Sequence, residues 1–126
     1  MAAILAVDDS SSIRNMVKRI LEAGGYEVII AEDGVNAMEV ARSRTFDMVL
    51  TDINMPNMTG ISLVSKLRRL EHYQDIPIIM VTTEDEDYKK QKAKNQGANG
   101  WLQKPFTQER LLNLVKTMLD KYSKAS

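Results

Sequence analysis

Cysteine is absent from the 126 residues, and proline occurs only three times. Without cysteine there is no disulfide and no thiolate metal site, so a reducing compartment, the cytoplasm, is expected. Net charge is absent too, because 17 lysines and arginines balance 17 aspartates and glutamates. A zero sum argues against a general binder of nucleic acid or of an anionic membrane. Long apolar runs are missing. The longest clean one is the seven residues Met1 to Val7, far short of the ~20 that cross a bilayer. No basic residue precedes that run and two aspartates end it, which argues against a signal peptide. The sequon Asn57-Met58-Thr59 therefore has no secretory context. Neither a P-loop nor a G-x-G-x-x-G is present, so a nucleotide is not the obvious source of phosphate. There is no internal repeat and no low-complexity tract.

What is present fits one domain over residues 1–126. A chain of this length buries roughly two-thirds of the surface it exposes when unfolded. It needs no disulfide or structural metal to fold, and a monomer is expected. The charge is unevenly spread. Residues 1–63 carry 5 basic and 9 acidic side chains, and residues 64–126 carry 12 and 8. The halves are −4 and +4, a difference that a function can use.

Two hydrophobic periods alternate. Short apolar runs occur at Ile4-Leu5-Ala6-Val7, Val28-Ile29-Ile30-Ala31, Met48-Val49-Leu50 and Ile78-Ile79-Met80-Val81, with a weak fifth at Gly100-Trp101-Leu102. Continuous runs of this length predict parallel strands buried on both faces. Helical stripes lie between them: Ile13, Met16, Val17, Ile20 and Leu21; then Ala37, Met38 and Ala41; then Leu63, Val64, Leu67 and Leu70; last Leu111, Leu114, Val115, Met118, Leu119 and Tyr122. Serines 10–12 can cap the first helix, Gly24-Gly25 stops it, and Thr107 can open the last. The segment Glu84–Gln96 begins acidic and ends basic, which suits the helix macrodipole. Its apolar stripe is only Tyr88 and Ala93, so it is expected to be the most mobile helix. Five β–α alternations imply a doubly wound α/β fold with right-handed crossovers. In such sheets ligands bind beyond the carboxyl ends of the strands.

Those ends carry Asp8-Asp9, Thr51-Asp52-Ile53-Asn54, Thr82-Thr83-Glu84 and Lys104-Pro105. Two like charges ~5 Å apart repel by ~3 kcal/mol at an effective dielectric of 20. Clustered carboxylates therefore stay partly protonated or bind a cation. A few hard oxygen ligands suit Mg2+, which shares its shell with water and phosphate. A hydroxyl and an ammonium alongside are the parts that stabilise a phosphoryl group in transfer. Asp52-x-Asn54 also opens like a calcium loop, but Pro56 and Asn57 break that pattern.

Taken together, Val7-Asp8-Asp9, Thr51-Asp52-Ile53-Asn54-Met55-Pro56 with Gly60, Val81-Thr82 and Lys104-Pro105-Phe106 resemble the response-regulator receiver domain, of the stand-alone CheY type. The resemblance covers essentially the whole chain. It implies a flavodoxin-like, five-stranded parallel sheet of order 2-1-3-4-5 flanked by five helices, with no output domain. The short polar end after Tyr122 fits that expectation. The resemblance also implies a signalling switch rather than an enzyme with an external substrate. Asp52 would be the phosphoacceptor, served by a phosphohistidine on a chemotaxis-type sensor histidine kinase. Asp9, Asp52 and the main-chain carbonyl of Asn54 would hold Mg2+, and Asp8 would reach it through a water. Lys104 would pair with the phosphoryl oxygens, Thr82 would hydrogen-bond them, and the Lys104-Pro105 peptide would be cis. Asn54 and Glu84 would tune hydrolysis, on a seconds-to-minutes scale. The face of the fourth helix, last strand and last helix would dock partners, with Trp101, Lys90 and Lys94 as switch and contact residues.

The chain departs from that family at two places. Trp101 stands three residues before Lys104, where Tyr or Phe is usual. It is a restricted rotamer switch, an exposed partner contact, or a half-packed edge residue. Asp85, Asp87 and Leu114 stand where the motor-binding face is more basic. The flagellar motor switch protein and a phosphatase are both candidate partners, and a phosphate sink or relay is the alternative role. An aspartate-nucleophile phosphatase needs a second Asp where Asn54 stands. A flavin mononucleotide binder needs a phosphate loop that is missing. His72 lies in a polar stretch and is expected to be exposed.

Overall fold

A computed structural model describes residues 1–122, and the polar end after Tyr122 lies outside the described residues. The apolar runs become five strands: β1 (Ala3–Val7), β2 (Glu27–Ala31), β3 (Met48–Thr51), β4 (Ile78–Thr82) and β5 (Gly100–Gln103). Between and after them run α1 (Ser11–Ala23), α2 (Gly34–Ser43), α3 (Gly60–Arg68), α4 (Asp87–Asn95) and α5 (Gln108–Tyr122). All strand pairs are parallel and the order is β2-β1-β3-β4-β5.

The three central strands are buried at every position, and the edge strands β2 and β5 are mixed. The strand period of two sorts β1 between two cores. Leu5 and Val7 join Val49, Met80 and the inner faces of α2, α3 and α4. Ile4 and Ala6 join Leu50, Ile79, Val81 and the inner faces of α1 and α5. Four of the five helix starts among the described residues are fixed by side-chain oxygens, and α4 has no such cap. Ser10, Asp33, Thr59 and Thr107 accept from backbone N–H groups three residues on, at Ile13, Asn36, Ser62 and Arg110. No helix among the described residues is long and apolar enough to cross a membrane.

Two elements differ from the sequence expectation. The fourth helix starts at Asp87, so Glu84, Asp85 and Glu86 lie in the connection before it. The cause is tertiary. Thr82 Oγ1 accepts the Glu84 N–H at 3.3 Å, and the Trp101 indole donates to the Glu84 carbonyl at 3.1 Å. Those bonds hold the Glu84 main chain in the loop. The stripe is also thinner than expected, because Ala93 alone is buried and Tyr88 is 63% exposed.

The third stripe is cut short too. α3 stops at Arg68, and Leu70 leads into a 3-10 turn at Glu71–Tyr73. Tyr73 is fully buried there, with its hydroxyl in donating distance of the carbonyls of Ala41 (2.8 Å) and Arg44 (2.6 Å). His72 is exposed in the same turn.

Arg68 closes this region. Its guanidinium makes five hydrogen bonds of 2.7 to 3.2 Å, to the carbonyls of Tyr73, Ile76 and Gly97 and to Asn99 Oδ1.

Candidate functional site

The sheet register decides which side chains meet. Val7 pairs with Thr51, so the residues after them, Asp8 and Asp52, leave the sheet side by side. Thr82 pairs with Gln103, which places Lys104 at the next position along the same edge. Lys104 N–H donates to the Thr82 carbonyl at 2.9 Å. The Lys104-Pro105 peptide is cis.

Lys104 Nζ lies 2.6 Å from Asp8 Oδ2 and 3.0 Å from Asp52 Oδ2. Asp8 Oδ1 accepts the Ser10 N–H at 2.9 Å, and Asp52 Oδ1 accepts the Ile53 N–H at 2.7 Å. Asp8, Asp52 and Thr82 are buried, and Asp9 is exposed at the mouth. One carboxylate oxygen from each of Asp8, Asp9 and Asp52 lies within 4.8 Å of the others. Three acids against one ammonium leave an excess of negative charge. Three oxygen donors at this spacing are a hard set of the kind Mg2+ prefers.

Charge balance at the site is asymmetric. Burial is the largest influence on Asp8 and pushes its carboxyl up, while hydrogen bonds from Lys104 and Ser10 oppose this without cancelling it. Burial pulls Lys104 down, but its hydrogen bonds to Asp8 and Asp52 outweigh that and hold it above the usual lysine range. The burial penalty thus falls on the carboxylate. A carboxyl raised in the fold favours folding at low pH, and that contribution is lost as pH rises through the raised folded value. At neutral pH the Asp8 charge therefore works against the fold. Asp8→Asn is expected to raise the melting temperature of metal-free protein at pH 7. Thermal unfolding in a chelator checks this, and a lower melting temperature would contradict it.

The main chain of Asp52 is held closely. Its N–H donates to the Val7 carbonyl at 3.0 Å, and its carbonyl accepts the Thr51 hydroxyl at 2.9 Å. Gly60 N–H donates to the Ile53 carbonyl at 2.8 Å. Gly60 packs so closely that a Cβ there would lie 1.9 Å from the Asp52 carbonyl oxygen.

At the rim, Asn54 Nδ2 is 3.5 Å from Glu84 Oε1, and Lys89 Nζ is 3.0 Å from Glu84 Oε2. Trp101 is half-buried beside this rim. Besides its indole bond to Glu84, its ring lies 5.7 Å from Lys90 Nζ. Trp101, Lys90 and Lys94 line a groove of about 210 Å3 between α4 and β5. The structure thus brings Asp8, Asp9, Asp52, Asn54, Thr82, Glu84 and Lys104 to one end of the sheet, with Trp101, Lys90 and Lys94 on the adjoining surface. A cleft of about 690 Å3 opens beside Met1, Phe46, His72 and Tyr122. Among the described residues the metal-compatible cluster is the one at the strand ends, not in that cleft.

Sequence reasoning missed two side chains here. Arg14 donates to the Asp8 carbonyl at 2.7 Å, and Lys89 holds Glu84. Neither follows from a periodic or motif signal.

Comparison with known proteins gives a consistent answer. The response regulator receiver domain family matches residues 4–116. The chemotaxis protein CheY1 of Helicobacter pylori is 42% identical over 118 residues, covering 92% of this chain and 95% of its own. The solved structure of the chemotaxis protein CheY4 of Vibrio cholerae superposes with a TM-score of 0.91 at 47% identity, covering 94% of this chain and 98% of its own. A receiver domain of a sensor histidine kinase from Pseudomonas aeruginosa superposes with a TM-score of 0.87 at 26% identity, covering 94% and 98%. That structure has a magnesium ion coordinated in its active site cleft.

Proposed function

Because the chain belongs to the response regulator receiver domain family, a family of phosphoacceptor signalling switches, we propose that Asp52 is its phosphoacceptor. The observation that carries this is the contact of one ammonium, Lys104, with both Asp52 and Asp8 at the end of the central strands. The Asp52 N–H bonds the Val7 carbonyl and its Oδ1 accepts the Ile53 N–H, so its carboxylate is pre-aimed for attack.

Asp9, Asp52 and the Asn54 carbonyl would hold Mg2+, with Asp8 reaching it through a water. When bound, the ion supplies positive charge that neutralises the acidic cluster and the phosphoryl oxygens. Lys104 stabilises the oxygens of the transferring group, and its raised affinity for its proton keeps it charged at neutral pH. The carboxylate oxygen of Asp52 attacks phosphorus while the imidazole of a sensor kinase histidine leaves in line. The acyl phosphate carries up to about two negative charges where the carboxylate carried one. Thr82 is then drawn to the phosphoryl oxygens and releases the Glu84 N–H. Glu84 carries the Trp101 indole bond, so the change reaches β5 and the α4 surface. The result is a shift between two arrangements of the docking face.

The chain is read as a chemotaxis-type cytoplasmic switch served by a sensor histidine kinase. Asp85 and Asp87 beside the basic groove of Lys90 and Lys94 also suit a phosphate sink or relay that does not engage the flagellar motor. In the test, acetyl phosphate with Mg2+ should label the native protein, and Asp52→Asn should take up no label. The phosphorylated form is then presented to a motor-switch peptide. Stronger capture than by Asp52→Asn supports the motor reading, and equal capture supports the sink or relay.

A further inference from the structure

The contacts of Glu84 form a strap across the mouth of the site. It runs from Asn54 after β3, through Glu84 after β4, to Lys89 in the first turns of α4. The ion pair is its strong joint. Both side chains are partly sheltered, and Lys89 is held above the usual lysine range chiefly by its hydrogen bond to Glu84. The Asn54 end, at 3.5 Å, is at the outer limit of a hydrogen bond. The Glu84 main chain is fixed separately, by the Trp101 indole and, until Thr82 turns to the phosphoryl group, by the Thr82 hydroxyl. Lys89 therefore governs where the carboxylate points without governing where the loop lies.

We propose that Lys89 is a positioning residue for loss of the phosphoryl group: it holds the Glu84 carboxylate against Asn54 and narrows the path by which water reaches phosphorus. This rests on the reading of Asp52 as phosphoacceptor. In the step concerned, a water oxygen bonds to phosphorus and the bond between phosphorus and the Asp52 carboxylate oxygen breaks. Asp52 regains its carboxylate. One water hydrogen stays on the departing phosphate as its hydroxyl, and the other goes to phosphate or solvent. Without Lys89, the Glu84 carboxylate is left facing phosphoryl oxygens of the same sign. It swings outward, and the mouth opens.

The test follows decay of label after acetyl phosphate is removed, in the native protein, Lys89→Met, Lys89→Arg, Glu84→Ala and Glu84→Ala with Lys89→Met. Lys89→Met should lose label about two- to fivefold faster, the span of one partly sheltered ion pair. Lys89→Arg should restore the native rate. Lys89→Met should change nothing further once Glu84 is alanine, a result that a merely structural lysine would not give. Decay of Lys89→Met at the native rate, or acceleration that persists without Glu84, would overturn the proposal while leaving Asp52 as phosphoacceptor. A native protein that takes no label would overturn that reading and the proposal with it.

Discussion

Replacing Arg68 with alanine is expected to lower stability by about 3 kcal/mol, near 10 °C in melting temperature for a domain of this size. The arginine is far from Asp52 in sequence and makes no contact with the acidic cluster. Its five N–H bonds instead gather four acceptors from two segments: Tyr73 and Ile76 before β4, and Gly97 and Asn99 between α4 and β5. Asn99 Oδ1 also takes the Ile78 N–H at 2.8 Å, so the same knot fixes the start of β4. Removing the guanidinium leaves acceptors that each cost about 1–3 kcal/mol when buried without a partner, less where water reaches them. Lysine should recover less than half of the loss, because one ammonium with three donors cannot span that fork. Urea unfolding of Arg68→Ala and Arg68→Lys checks this. A midpoint within error of the native protein would contradict it. Phosphoryl uptake per folded molecule should be unchanged.

Gly60→Ala should damage both fold and site. The new Cβ would meet the Asp52 carbonyl oxygen at 1.9 Å, its carbon at 2.8 Å and Ile53 Cα at 2.9 Å. These are backbone atoms, so no flexible side chain can yield. The chain around Asp52 must move, at about 2–3 kcal/mol. A displacement near 1 Å at a reacting group can cost ~100-fold in rate, so labelling of folded protein should fall at least about tenfold. Gly25→Ala is the control. Gly25 has φ of 94° but nothing within 4 Å of its would-be Cβ. It should lose about 1 kcal/mol through backbone strain and label normally. Equal labelling rates for the two variants would contradict the close-approach argument.

The sheet was legible because β1, β3 and β4 are buried on both faces and so read as unbroken apolar runs. The cluster was legible because each strand end carries its chemistry within two residues of an apolar run. The start of α4 was not. Its acids complement the macrodipole as well from Glu84 as from Asp87, and the choice is made by Thr82 and Trp101. Arg68 was not legible either, since four of its five bonds reach residues 8 to 31 positions away and no local period announces them. The opposed charges of the two halves acquire a meaning only in the fold. Asp8 and Asp52 from the acidic half share Lys104 from the basic half, 96 and 52 residues away.

The most direct measurement is to label the protein with acetyl phosphate in Mg2+, trap the acyl phosphate with borohydride, and map the modified residue by mass spectrometry. The account predicts modification at Asp52 alone, lost when a chelator is present. Modification at Asp8 or Asp9, or none in Mg2+, would contradict it.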